Sequence, residues 1–238
     1  MKIIVVTPAG RKAYLDLLSK YILTDADVDE WHLWDNCRDE SDRVYIKELE
    51  KTHEKIKIIT SENVDGSNKS VNKFYKNCSQ SETFYIKVDD DIVYLQDGTF
   101  AHMRDEALKT RGRNIWWSPL VINNSLCSYL LKYKSNIFDI SSNLTAQASC
   151  PTGWGNPLFA IELHNAFLHF LKLNQPIAMD DFDVSLSRFS INCIGFFGDD
   201  VARLGDSFCP LNVDDEEWIS GVLPLLTGKT GGILGSVL

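Results

Sequence analysis

The sequence predicts an α/β fold with a mainly parallel central sheet flanked by helices. Three observations predict it. Short runs rich in Ile, Val, Phe and Trp alternate with stretches whose apolar residues recur at helical spacing. That alternation implies parallel strands joined by right-handed helical crossovers. Polar loops follow the first, second and fourth of these runs, at residues 7–11, 35–38 and 89–91, so in a parallel sheet they share one rim. Finally, 238 residues with 44% apolar and 24% charged side chains describe an ordinary globular chain, long enough for one large domain without staples.

Taken in order, residues 2–7 read as a buried strand ended by Thr7-Pro8-Ala9-Gly10-Arg11. Tyr14, Leu17, Leu18, Tyr21 and Ile22 then give a helical stripe. Residues 30–34 are a second strand, ending at Asp35-Asn36. Val44, Ile46 and Leu49 mark a helix, 56–59 a third strand, and Val71, Phe74, Tyr75 and Cys78 another helix. The fourth strand, 84–88, runs into Asp89-Asp90-Asp91. Further on, 100–109 reads as a helix, 114–121 as a strand and 126–132 as a short helix within an irregular stretch, 122–150. Gly153-Trp154-Gly155 reads as a turn with one large flat side chain, either buried in the turn or a platform for a sugar ring or base. Residues 160–171 form a helix. Acids at Asp180, Asp181 and Asp183 fit the first turn of a helix, where its dipole favours them. Residues 191–197 are a last strand, followed by Gly198-Asp199-Asp200. The Gly- and Leu-rich tail has no usable period. The expected division is therefore 1–212 as the folded domain, with halves 1–95 and 96–212, and 213–238 as a linker or the stub of a following domain.

Asp89-Asp90-Asp91 is where chemistry is expected. Three adjacent carboxylates repel one another unless a cation sits among them. In an extended segment Asp89 and Asp91 share a face and Asp90 points away. Two hard oxygen ligands on one face suit Mn²⁺ or Mg²⁺, completed by water and substrate phosphates. The net charge of −9 argues against a nucleic-acid partner, which requires a basic footprint. No stretch approaches a membrane span. Six cysteines without a CxxC pair suit free thiols in a reducing compartment, and 3–6 is too short for the apolar core of a signal peptide, so the expected location is cytoplasmic. Neither GxGxxG nor a P-loop occurs; Gly228-Lys229-Thr230 lacks the earlier glycine at P-loop spacing.

With these pieces in order, the chain resembles the GT-A fold glycosyltransferases that use nucleotide sugars, over roughly residues 1–200. Asp89-Asp90-Asp91 matches the DxD motif at the end of an aliphatic strand. Asn68-Lys69-Ser70-Val71-Asn72-Lys73 matches the Lys/Ser/Asn pattern before it. Asp35 matches the strand-end acid at the base, and Thr7-Pro8 the first turn. Asp180-Asp181-Phe182-Asp183 matches the later acidic motif, with Asp for the usual Glu. The likeness is nearest to glycosyltransferase domains within multidomain chlorovirus proteins, which implies viral glycan synthesis in the host cytoplasm and further domains of a longer polypeptide.

The resemblance implies a UDP-sugar donor, a glycan acceptor and transfer of a hexose or deoxyhexose. It implies Asp89 and Asp91 as metal ligands, with Thr7, Pro8, Ala9, Arg11, Asp35, Lys69, Asn72, Asp89 and Asp90 around the nucleotide sugar. Gly153 and Trp154 fall to the acceptor. Asp181 falls to the catalytic base, and inversion then follows. No His follows His169 to supply the further metal ligand common in that family, so coordination falls to Asp91, Asp89 through water and the diphosphate, with Asp199 or Asp200 as the alternative ligand. Two other readings compete. Asp89-x-Asp91 with Gly198-Asp199-Asp200 fits a haloacid-dehalogenase-like phosphatase, and a non-catalytic nucleotide-sugar or glycan-binding module needs no Asp181. Zinc chemistry fits poorly, because His164 and His169 lie on different helix faces.

Overall fold

The computed structural model describes residues 1–134, 140, 142–175, 177–185 and 187–235. The predicted α/β fold is present. The first half is built of β1 (Lys2–Ala9), α1 (Lys12–Ile22), β2 (Glu30–Asp35), α2 (Glu40–Thr52), β3 (Ile56–Ile59) and β4 (Thr83–Val88). The second half adds α3 (Thr99–Thr110), β5 (Asn114–Pro119), α4 (Ser125–Tyr133), α5 (Pro151–Gly155), α6 (Pro157–Lys172), β6 (Phe182–Val184), β7 (Cys193–Phe197), α7 (Gly198–Leu204), α8 (Asp215–Glu217), α9 (Leu223–Thr227) and β8 (Thr230–Leu234).

Among the described residues these strands form one sheet in the order β3-β2-β1-β4-β7-β5-β8-β6. β3, β2, β1 and β4 pair in parallel, as the crossovers demand. β7 is antiparallel to both β4 and β5, so β5 and its parallel neighbour β8 run the same way as β4. β6 is an antiparallel edge. The C-terminal ends of β1, β2, β4, β5 and β8 therefore share one rim, joined by the N-terminal ends of β6 and β7.

Strand alternation divides the core between the two faces. Ile3, Val5, Leu33, Phe84, Ile86, Trp117 and Phe197 pack with α1, α2 and α3 on one face. Ile4, Val6, Trp34, Tyr85, Trp116 and Phe196 pack under the second-half helices and the 68–77 segment on the other. β4 is buried on both faces along its whole length, Lys87 included.

Four expectations about elements are corrected. Gly153-Trp154-Gly155, expected as a turn, is the end of the short helix α5. The Val71–Cys78 stripe forms two 3-10 turns, Asn68–Lys73 and Tyr75–Asn77, not an α-helix. Asp180–Asp183 does not open a helix. It leads into the edge strand β6, whose Phe182 pairs with Ile233. The tail expected as a linker carries α8, α9 and β8, and β8 lies inside the sheet between β5 and β6. Its glycines have a packing reason. A Cβ on Gly231 would lie 1.9 Å from the Trp116 ring, so only glycine lets that indole lie against the strand. Residues 236–238 of the expected linker, and 135–139 and 141 of the irregular stretch, lie outside the described residues. No helix among the described residues is long and apolar enough to cross a membrane.

Candidate active site

At the rim where β1 and β4 end, a cavity of about 570 Å³ opens. Pro8, Gly10 and Arg11 line it from the β1–α1 loop, Asn36 and Arg38 from the end of β2, and Asp89, Asp90 and Asp91 from the end of β4. The arrangement follows from the parallel order, which brings successive strand ends together.

The three acids divide differently from the expected alternation. Asp90 is the buried one, 5% exposed. It accepts the Gly10 backbone N–H at 3.2 Å and Arg11 Nε–H at 3.1 Å, with Arg11 Nη2 as a further donor. Arg11 Nη2 also lies 3.0 Å from Asp91 Oδ2, whose side chain is 43% exposed. Arg11 thus bridges two of the three carboxylates. Its hydrogen bond to Asp90 raises its pKa further despite partial burial. Asp89 pairs with Lys87, whose Nζ also donates to the Ile191 carbonyl at 3.0 Å. Burial, together with Asp91 and Asp215, raises the Asp89 pKa against the pull of Lys87. Lys87 is raised in turn: burial lowers it, but Asp89, Asp215 and Glu216 outweigh burial.

The facing wall comes from the tail. Asp214, Asp215, Glu216 and Arg188 line the same cavity. Asp215 accepts Tyr75 Oη–H at 3.1 Å, and Arg188 pairs with Asp214 at 3.3 Å and Glu216 at 2.7 Å. Asn72 Nδ2 holds this segment down by donating to the carbonyls of Pro210 and Val213 at 2.8 and 2.9 Å.

Of the residues expected here, Pro8, Arg11, Asp89, Asp90 and Asp91 come together. Others do not. β1 continues to Ala9, and the Thr7 hydroxyl is buried, accepting Trp31 Nε1–H at 3.0 Å. Ala9 is buried, and its carbonyl accepts the Cys37 thiol. Asp35 is held by Arg43 at 3.1 Å, and its neighbour Asn36 takes the place in the cavity. Lys69 lines an adjoining cavity of about 530 Å³ that shares Asn68, Asp214 and Asp215 with the first. Asn72 is a buried tether.

Gly153 packs on Ser125, and Trp154, on α5, is 82% exposed and lines neither cavity. Asp181 accepts the Gly235 N–H at 2.9 Å. It stands at the same rim, but β6 lies four strands from β4, about 19 Å at the ~4.8 Å strand spacing. Asp199 and Asp200 follow β7, whose antiparallel course puts them at the opposite rim, paired with Arg111 and Arg203. Sequence reasoning missed Lys87 and the 214–216 wall. The run Asp214-Asp215-Glu216-Glu217 was the available signal, and it fell in the presumed linker.

Among the described residues no group of three or more His, Cys, Asp or Glu forms a ready metal cage. Asp91 and Asp89 nonetheless offer hard oxygen donors to one cavity, the number suited to an ion that keeps water and phosphate ligands. The charge balance agrees. Seven carboxylates line the cavity against four cations, an excess that repels a diphosphate unless a cation accompanies it.

No family model and no curated protein matches the chain. Solved structures share its fold. Staphylococcus aureus TarS, residues 1–349, superposes with a TM-score of 0.54 at 16% identity, over 99% of this chain and 58% of that one. A CMP:2-keto-3-deoxy-manno-octonic acid synthetase in complex with CTP superposes with a TM-score of 0.50 at 10% identity, over 98% of this chain and 89% of that one. At such identities the likeness is one of fold.

Proposed function

We propose that the chain is a metal-dependent glycosyltransferase that moves a hexose or deoxyhexose from a UDP-sugar to a glycan hydroxyl. The observation that carries this is the carboxylate-rich cavity at the β1–β4 rim, where Arg11 bridges Asp90 and Asp91. The neighbour solved with CTP supports a nucleotide ligand on this fold. The sugar, and the role in viral glycan synthesis, rest on the sequence resemblance.

Asp91 and Asp89 would hold Mn²⁺ or Mg²⁺. When bound, such an ion supplies Lewis-acid stabilisation of the departing diphosphate. Arg11 adds a fixed positive charge beside the phosphates. Asp90, buried under Gly10 and Arg11, fixes the β1–α1 loop against the acids. Lys87 holds the Asp89 carboxylate in place. The phosphatase reading loses its second motif, since Gly198-Asp199-Asp200 stands at the other rim from Asp89.

The test is UDP release from UDP-hexoses with Mn²⁺. It is expected to stop in excess EDTA and in Asp91→Asn, with the fold intact by circular dichroism. Full turnover in EDTA contradicts the metal assignment.

A further inference from the structure

A smaller cavity shares Asp91 with the first and is lined by the segments after β4 and β5. It holds about 150 Å³, the share of roughly five waters at ~30 Å³ each, which is room for one monosaccharide ring and too little for a drug-sized ligand. Its walls are mostly apolar. Tyr94 and Phe167 meet edge to face at 5.3 Å, with Leu120 and Ile122 from the segment after β5. Asn123, Asn192 and His164 supply polar atoms. An apolar wall with a few polar groups is what a sugar ring requires, with C–H faces against aromatic rings and hydroxyls on amides.

His164 has a fixed tautomer. Its Nδ1 lies 2.6 Å from the Ala160 carbonyl one helical turn back on α6. A carbonyl only accepts, so Nδ1 carries a hydrogen, and the acceptor nitrogen of the neutral ring is Nε2. The other titratable groups lining this cavity are Asp91, Tyr94 and Cys193. Asp91 is held by Arg11. Burial raises the Tyr94 phenol and pushes the Cys193 thiol up to about 12, so both stay protonated near neutrality.

We propose that this cavity seats the acceptor sugar and that His164 Nε2 takes the proton of its attacking hydroxyl. The inference rests on the glycosyltransferase reading of the first cavity. The two cavities share Asp91, the first reached from the β1–α1 loop and the 214–216 wall and the second from the segments after β4 and β5, so donor and acceptor meet beside that carboxylate. The acceptor oxygen forms its bond to the anomeric carbon. The bond from that carbon to the diphosphate breaks, and its electron pair leaves with UDP. The hydroxyl proton passes to Nε2, and from the exposed imidazolium to water. His164 takes the part expected of Asp181, which the sheet order holds four strands away.

The experiment uses the full chain with UDP-glucose and UDP-galactose as donors and p-nitrophenyl hexosides as acceptors. UDP–Mn²⁺ affinity is measured in parallel by calorimetry. His164→Ala is expected to keep that affinity and lose about 10²-fold or more in acceptor-dependent UDP release, and added imidazole is expected to restore part of the loss. Near wild-type turnover in His164→Ala overturns the assignment, as does a loss that imidazole does not rescue. Wild-type protein that binds UDP–Mn²⁺ but transfers to no hexoside overturns the cavity as an acceptor site while sparing the donor reading. Wild-type protein that neither binds nor releases UDP overturns both.

Discussion

At the scale of single residues, buried charge is tolerated where partners surround it. Asp90 has Arg11 and the Gly10 N–H, and Lys87 has Asp89 and the Ile191 carbonyl. Glu30, near the opposite rim, shows the same economy with no evident role in chemistry. It accepts from Lys2 on β1, from Lys57 on β3 at 2.7 Å and from His32 at 2.7 Å. Burial opposes its ionisation, but the three partners outweigh burial and hold its pKa at about 2. A carboxylate depressed on folding stabilises the fold above its unfolded pKa of 4.5 and loses that contribution as pH falls toward 2. Burial lowers His32, which adds to the loss below neutrality, because the unfolded chain takes up that proton more readily. Glu30→Gln is therefore expected to cost about 1–2 kcal/mol at pH 7, with solvent screening allowed for, and much less at pH 3. Urea denaturation at the two pH values measures it, and an equal cost at both contradicts the linkage. At this scale the sequence made Asp89-Asp90-Asp91 visible as a candidate site, since acids after a buried strand are unusual. Which of the three is buried was not visible, because Arg11 is 79 positions from Asp90 along the chain.

At the scale of elements, legibility followed periodicity. β1 to β4, α1 and α2 carry strong apolar patterns and lie close to where the pattern puts them. β6 and β8 were not legible. β6 is a three-residue edge whose Phe182 and Asp183 are exposed, so it has no buried run to read. β8 is TGGIL, and its glycines disguise a strand that is buried nearly throughout. Their meaning lies in the partner strand, whose Trp116 and Trp117 fill the space above them. Gly231→Ala places a methyl group inside the Trp116 ring and is expected to destabilise by about 1–3 kcal/mol or more. The denaturant midpoint reports it, and an unchanged midpoint contradicts the close approach of β8 to β5. The misplaced Asp181 has the same origin. A helix start and an edge-strand start both tolerate acids, and local sequence does not separate them.

At the scale of the whole molecule, the sheet order decides what meets what. The parallel run β3-β2-β1-β4 gathers the strand-end loops into one cleft, and the antiparallel β7 sends Asp199 and Asp200 to the far rim. The tail then returns to close the cleft with Asp214, Asp215 and Glu216. The central claim is that Asp89–Asp91 and Arg11 hold a nucleoside diphosphate through a divalent ion. A ligand that binds only the folded state raises its stability by RT ln(1 + [L]/Kd), about 2.7 kcal/mol at a hundredfold excess over Kd. The most direct measurement is the thermal midpoint with UDP, with and without Mn²⁺, in the wild-type protein and in Asp91→Asn. The account predicts a clear upward shift with UDP and Mn²⁺ together, little with UDP alone, and little under either condition in Asp91→Asn. A UDP shift of the same size in EDTA, or one that Asp91→Asn leaves intact, would contradict it.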